Sequence, residues 1–90
     1  MQAANLIRQV KPPYPESAKA ARLQGAVILE ATIGADGVPN SLQVMNAHID
    51  PDMARAAVEA VNQWRYRPTL LNGKPVEVRT NITVNFTLAN

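Results

Sequence analysis

Few residues in this chain are of types that do chemistry. There is one histidine, His48, and there are two serines, Ser17 and Ser41. A lone loop histidine is ordinarily a surface residue, and neither serine sits in the G-x-S-x-G setting of an activated nucleophile. Asp36, Asp50 and Asp52 each read as turn or helix-cap residues. Gly34 and Gly37 form no phosphate loop, because no glycine-rich run carrying a lysine opens a helix. Cysteine is absent, which removes disulfides, zinc–thiolate sites and thiol catalysis. Trp64-Arg65-Tyr66-Arg67 mixes aromatic and basic residues, as grooves for single-stranded nucleic acid do. The plainer reading puts Trp64 in the core and the arginines in water, and nucleic acid is not expected as a partner. No enzyme, metal or cofactor is expected either. What remains is recognition by surface and backbone, so the elements that present them decide the function.

Ninety residues make one domain, near the low end of what folds alone. The 47% apolar content suits a packed core and argues against disorder. The net charge of +2 is unevenly spread: residues 1–22 carry four bases against one acid, and the remainder five against six. That is weak ground for an acidic partner or a membrane surface, and a solvated face explains it. No apolar run approaches the roughly 18 residues of a membrane span. Residues 1–5 lack the charged start and apolar middle of a signal peptide. The chain as it stands is expected to be soluble. Residues 1–11 read as the end of a linker or a short amino-terminal strand, and residues 12–90 as the domain.

The most one-sided stretch is residues 76–88. Val76, Val78, Thr80, Ile82, Val84, Phe86 and Leu88 share one parity, and Glu77, Arg79, Asn81, Thr83, Asn85 and Thr87 the other. Side chains alternate faces along a strand, so one face is apolar or β-branched and the other polar. At about 3.3 Å per residue such a strand spans roughly 43 Å, long for so small a domain.

The rest of the chain builds toward it. Residues 6–10 can form a very short strand. Pro12, Pro13 and Pro15 then impose an extended path. An alanine-rich first helix follows over residues 17–23, with Glu16 at its positive end, Ala18, Ala21 and Leu23 inward, and Gly25 as its terminator. Strand one covers residues 26–33, with Val27, Leu29, Ala31 and Ile33 on one face. Asp36-Gly37 marks a hairpin turn, and strand two runs from residue 38 to about 47. Asp50-Pro51-Asp52 caps and opens a second helix that reaches about residue 64. Its apolar stripe is Ala54, Ala57, Val58, Val61 and Trp64. Pro68 halts it, and Asn72-Gly73 is a turn before the last strand.

These pieces give an α+β fold. Two helices pack on one face of a three-stranded antiparallel sheet, in the order helix-strand-strand-helix-strand with strand one central. A short extra amino-terminal strand is compatible with it. The last strand is then an edge, and edges attract partners unless blunted. It also outruns strand one by about five residues (about thirteen against eight), and residues 6–10 are the expected partner for that overhang, in the same chain or in a second copy.

Several motifs occur together in this order. They are Tyr14-Pro15-x-x-Ala18, Gly25, Asp36-Gly37, a helix ending Ala60-Val61-x-x-Trp64-x-Tyr66-x-Pro68, Asn72-Gly73-x-Pro75-Val76, and the alternating strand. Over about residues 12–88 the chain resembles the carboxy-terminal domain of the TonB family. The resemblance implies a periplasmic domain of a protein anchored in the bacterial inner membrane. Inner-membrane motor proteins would act on it through its amino-terminal part. Its partner would be an outer-membrane TonB-dependent transporter, whose TonB box peptide is gripped by strand addition, so that proton-motive force drives uptake such as that of siderophores. The best-known members carry a glutamine that contributes to recognition three residues before the Tyr-Pro pair, and here that position is Lys11. The expected partner-binding residues are Lys11, Tyr14 and Pro15 with Val78, Arg79, Thr80, Asn81, Ile82 and Thr83. The competing expectation is a self-associating module, a strand-paired homodimer fused to another envelope or sensor protein.

Overall fold

The computed structural model describes residues 5–46 and 48–88. In chain order the elements are β1 (Asn5–Arg8), α1 (Glu16–Ala20), β2 (Gly25–Ile33), β3 (Pro39–Val44), α2 (Pro51–Asn62), β4 (Arg65–Arg67), β5 (Thr69–Leu71), β6 (Lys74–Val76) and β7 (Val78–Phe86). The main sheet has the antiparallel order β3-β2-β7, so the strand expected at the centre is there. The fold class read from the sequence holds: α2 lies against β2 and β3, and α1 packs on α2. The opposite face of the sheet is open. The far end of strand two, at residue 47, lies outside the described residues.

Turn chemistry fixes the register. Gly34 accepts from the Gly37 N–H at 2.9 Å, and Gly37 takes φ +80°. A type I turn followed by a left-handed glycine matches the right-handed twist of the strands it joins. Ser41, at φ 50°, bulges β3 between the Glu30–Gln43 and Thr32–Asn40 pairs. Beyond the end of β3, Asn46 stands in for a strand: its Oδ1 accepts from Ile28 N–H at 3.0 Å and its Nδ2 donates to the Ala26 carbonyl at 2.8 Å.

Helix α1 ends differently from expectation, and α2 buries a somewhat different stripe. Asp50 caps α2 as anticipated, its carboxylate accepting from Met53 N–H at 3.0 Å. The buried stripe, however, is Met53, Ala56, Ala57, Ala60 and Val61, with Ala54 and Val58 only half-buried at its margin. Helix α1 stops at Ala20, and Gly25 is not its terminator. Arg22 takes the left-handed conformation at φ 55°; Leu23 N–H bonds the Ala18 carbonyl and Arg22 N–H the Lys19 carbonyl. That is a Schellman end built without glycine. Ala18 is buried as expected, whereas Ala21 and Leu23 are exposed. Ser17 Oγ donates to Asp52 Oδ2 at 2.6 Å and ties α1 to α2.

The long last strand is divided at Glu77. Residues 74–76 pair with β5, with Val76 opposite Thr69, and only Val78 onward pairs with β2. The overhang is thus matched within the chain by Thr69–Leu71, not by residues 6–10. Strand β1 pairs instead with β4, Leu6 standing opposite Tyr66. β2 and β7 are both nine residues long and in continuous register from Gly25–Phe86 to Ile33–Val78. Past Phe86, Leu88 N–H bonds Gln24 Oε1 at 2.8 Å.

The core lies between sheet and helices and is made by Val27, Leu29, Ala31, Ile33, Met53, Val61, Trp64, Ile82, Val84 and Phe86, among others. Burying a Leu or Phe side chain contributes about 1.5–3 kcal/mol, so this cluster is the chief source of stability. The molecule is elongated, 49 × 23 × 17 Å.

Candidate partner-binding edge

Strand β7 has β2 on one flank and, among the described residues, no strand on the other. Which residues face that flank follows from hydrogen bonding in β2. Ile28 sends its N–H to Asn46 and its carbonyl to Met45 N–H at 2.8 Å, both on the β3 side. Successive residues of an antiparallel strand turn their backbone groups to opposite flanks. Val27 and Leu29 therefore bond to β7, where they stand opposite Val84 and Ile82. The backbones of Arg79, Asn81, Thr83 and Asn85 consequently point outward.

The nine residues named from the sequence thus separate by position. Arg79, Asn81 and Thr83 turn N–H and C=O to the free flank and side chains to the open sheet face, where all three are exposed. Val78, Thr80 and Ile82 spend their backbone groups on β2. Val78 and Ile82 are buried, and Thr80 is half-buried. Lys11 is exposed and reaches the same flank. With Gln9, Pro12, Trp64, Thr83, Val84 and Asn85 it lines a cleft of about 430 Å³. Tyr14 and Pro15 lie elsewhere. The Tyr14 ring meets Phe86 edge-on at 5.4 Å, and its hydroxyl donates to the Leu23 carbonyl. Pro15 is the residue before α1. Tyr14 holds the amino-terminal segment against the end of β7.

Asn85, Gln9 and Trp64 line the candidate cleft without being among the residues named from the sequence. Asn85 carried a usable signal, since it shares the parity of Arg79, Asn81 and Thr83. The cleft wall at Gln9 is tertiary: Trp64 Nε1–H donates to the Val10 carbonyl at 2.7 Å and holds the segment beside β7. Trp64 is buried, so it offers no ring face for stacking bases.

The flank is polar and mildly basic. Arg79 pairs with Glu30 across the sheet. Both groups are solvated enough that the pair orders side chains more than it stabilises the fold. On β4, burial pushes the Tyr66 phenol above its ordinary value. No group of three or more His, Asp or Glu side chains that could hold a metal occurs among the described residues. An unpaired strand edge with outward donors and acceptors can accept an extended peptide as a further strand.

Comparison with known proteins bears on the family. Residues 10–88 match the family model described as Gram-negative bacterial TonB protein C-terminal. The chain is 32% identical to Protein TonB of Vibrio cholerae over 80 residues, 89% of this chain and 33% of that protein. It is 34% identical to Protein TonB of Xanthomonas campestris over 77 residues, 86% of this chain and 34% of that protein. It therefore spans about a third of the length of these curated relatives. Its fold is similar to the solution structure of the Pseudomonas aeruginosa TonB carboxy-terminal domain. That match has a TM-score of 0.81 at 26% identity and covers 100% of this chain and 91% of the other. It is also similar to the TonB2 structure from Vibrio anguillarum, with a TM-score of 0.68 at 33% identity, covering 99% and 84%.

Proposed function

The chain belongs to the TonB carboxy-terminal domain family, a family of interaction domains and not of enzymes, and from that premise we propose that it captures a transporter peptide on the free flank of β7. The peptide is the TonB box of an outer-membrane transporter, added as a strand. The domain works in the periplasm, as the distal part of a protein anchored in the inner membrane. Motor proteins pull on it through that anchor and couple proton-motive force to uptake.

The observation that carries the proposal is the outward set of backbone groups at Arg79, Asn81, Thr83 and Asn85. Main-chain bonds supply affinity in strand addition, and pockets for alternate side chains supply specificity. The cleft with Lys11 at its rim lies where such side chains would enter. Hydrogen bonds along a strand share a pulling load in shear, which suits a domain that transmits force.

Proline scanning tests it. Asn81→Pro removes an outward donor and leaves the β2 ladder whole, so peptide affinity falls at least tenfold (about 1.4 kcal/mol) while the fold persists. Unchanged affinity would contradict the model. Ile82→Pro removes a ladder bond instead and lowers stability first.

A second reading has its own support. The same flank can pair with a second copy, and Ile28 and Met45 add apolar area on the open sheet face. Sedimentation across concentration separates the two: a monomer that binds peptide favours capture, an obligate dimer favours self-association.

A further inference from the structure

Bases and exposed apolar side chains are concentrated in four short strands. Residues 5–8 and 65–76, which form β1, β4, β5 and β6, contain Arg8, Arg65, Arg67 and Lys74 and no acid. The rest of the chain has five bases and seven acids. Of the seven large apolar side chains exposed among the described residues, four belong to these strands: Leu6, Ile7, Leu70 and Leu71. Among the described residues, the β5–β6 hairpin pairs only with itself. Residues 70–75 are exposed throughout, with Leu70 and Leu71 at 55% and 51%. Asn72 and Gly73, at φ 52° and 79°, close a tight type I′ turn, so the two leucines sit on a stiff tip rather than a loose loop.

We propose that the β5–β6 hairpin, with the adjoining β4, docks on an anionic phospholipid surface. Leu70 and Leu71 enter the headgroup layer, and Lys74, Arg67 and Arg8 lie over lipid phosphates. A basic rim with an apolar tip is the composition that interfacial anchors use. An acidic protein would account for the bases but not for solvated leucines on a hairpin that none of the described residues covers. The inference is independent of peptide capture, because it uses no residue of the β7 flank.

Vesicle co-sedimentation of the whole chain tests it, with phosphatidylcholine vesicles and with phosphatidylcholine–phosphatidylglycerol mixtures. The chain is expected to bind the mixed vesicles only, and to be released by salt. Each base contributes about fivefold to partition near an anionic surface, so Arg67→Gln with Lys74→Gln lowers binding on the order of twentyfold. Leu70→Ser with Leu71→Ser lowers it independently. Arg55→Gln, outside the patch, leaves it unchanged. All these side chains are exposed or half-exposed, and circular dichroism checks that the variants are folded. Equal binding to both vesicle types, no binding to either, or equal loss in Arg55→Gln overturns the proposal. So does capture by soluble polyglutamate with no vesicle binding, which assigns the patch to an acidic protein.

Discussion

The indole Nε1–H of Trp64 donates to the carbonyl of Val10 at 2.7 Å, joining the end of α2 to the amino-terminal segment across 54 residues of sequence. This bond positions Gln9 and Lys11 beside Thr83 and Asn85. Trp64→Phe keeps a buried six-membered ring but removes the donor and part of the indole, which leaves the Val10 carbonyl without its partner. Stability is expected to fall by about 1–2 kcal/mol. Amide exchange of residues 9–12 should quicken more than that of β2. Equal acceleration everywhere would mean that the bond serves the global fold alone.

Gly37 is held more tightly than any other glycine. Its φ is +80°, and a Cβ built there lies 2.0 Å from the Tyr66 carbonyl oxygen. Tyr66 N–H also donates to the Gly37 carbonyl at 2.9 Å, so the hairpin turn is stitched to β4. Gly37→Ala costs about 1–2 kcal/mol from conformation alone, and the backbone clash adds to it. A denaturant midpoint close to wild type would show that the turn can lift off β4. Gly73, which has open space around its missing Cβ, should tolerate alanine better despite its φ of +79°.

Thr69 is buried at the root of the β5–β6 hairpin, and its Oγ1 has no hydrogen-bond partner among the described residues. An unmatched buried hydroxyl is destabilising. Thr69→Val should therefore raise stability by about 1 kcal/mol, read as a higher denaturant midpoint with an unchanged slope. A loss of similar size would mean that the hydroxyl has a partner, such as an ordered water.

Much of this fold is legible in the chain. Asp50-Pro51 marks the start of α2, Asp36-Gly37 and Asn72-Gly73 mark their turns, and the apolar face of β2 falls as its alternation says. Other features are silent for physical reasons. Val76 and Val78 keep the same parity across Glu77, so alternation cannot reveal that the strand changes partner from β5 to β2. β4, β5 and β6 are three residues each, too short for any period to register. In the helix stripe Ala57, Val61 and Trp64 are buried as their spacing says, but alanines occupy both its centre and its margin, and burial alone distinguishes Ala56 from Ala54. At the site, parity separates Arg79, Asn81 and Thr83 from Val78, Thr80 and Ile82. It does not say which set turns its backbone outward. That depends on Ile28 spending its groups on Asn46 and Met45, a contact made only in the folded sheet.

The most direct test of the edge is an amide-resolved titration with a synthetic TonB-box peptide. Strand addition predicts that the N–H signals of Arg79, Asn81, Thr83 and Asn85 move and become protected from exchange, while those of Thr80, Ile82 and Val84, already bonded to β2, move less. Shifts concentrated on α2, or spread evenly over both parities of β7 without new protection, would contradict the assignment of this flank as the binding site.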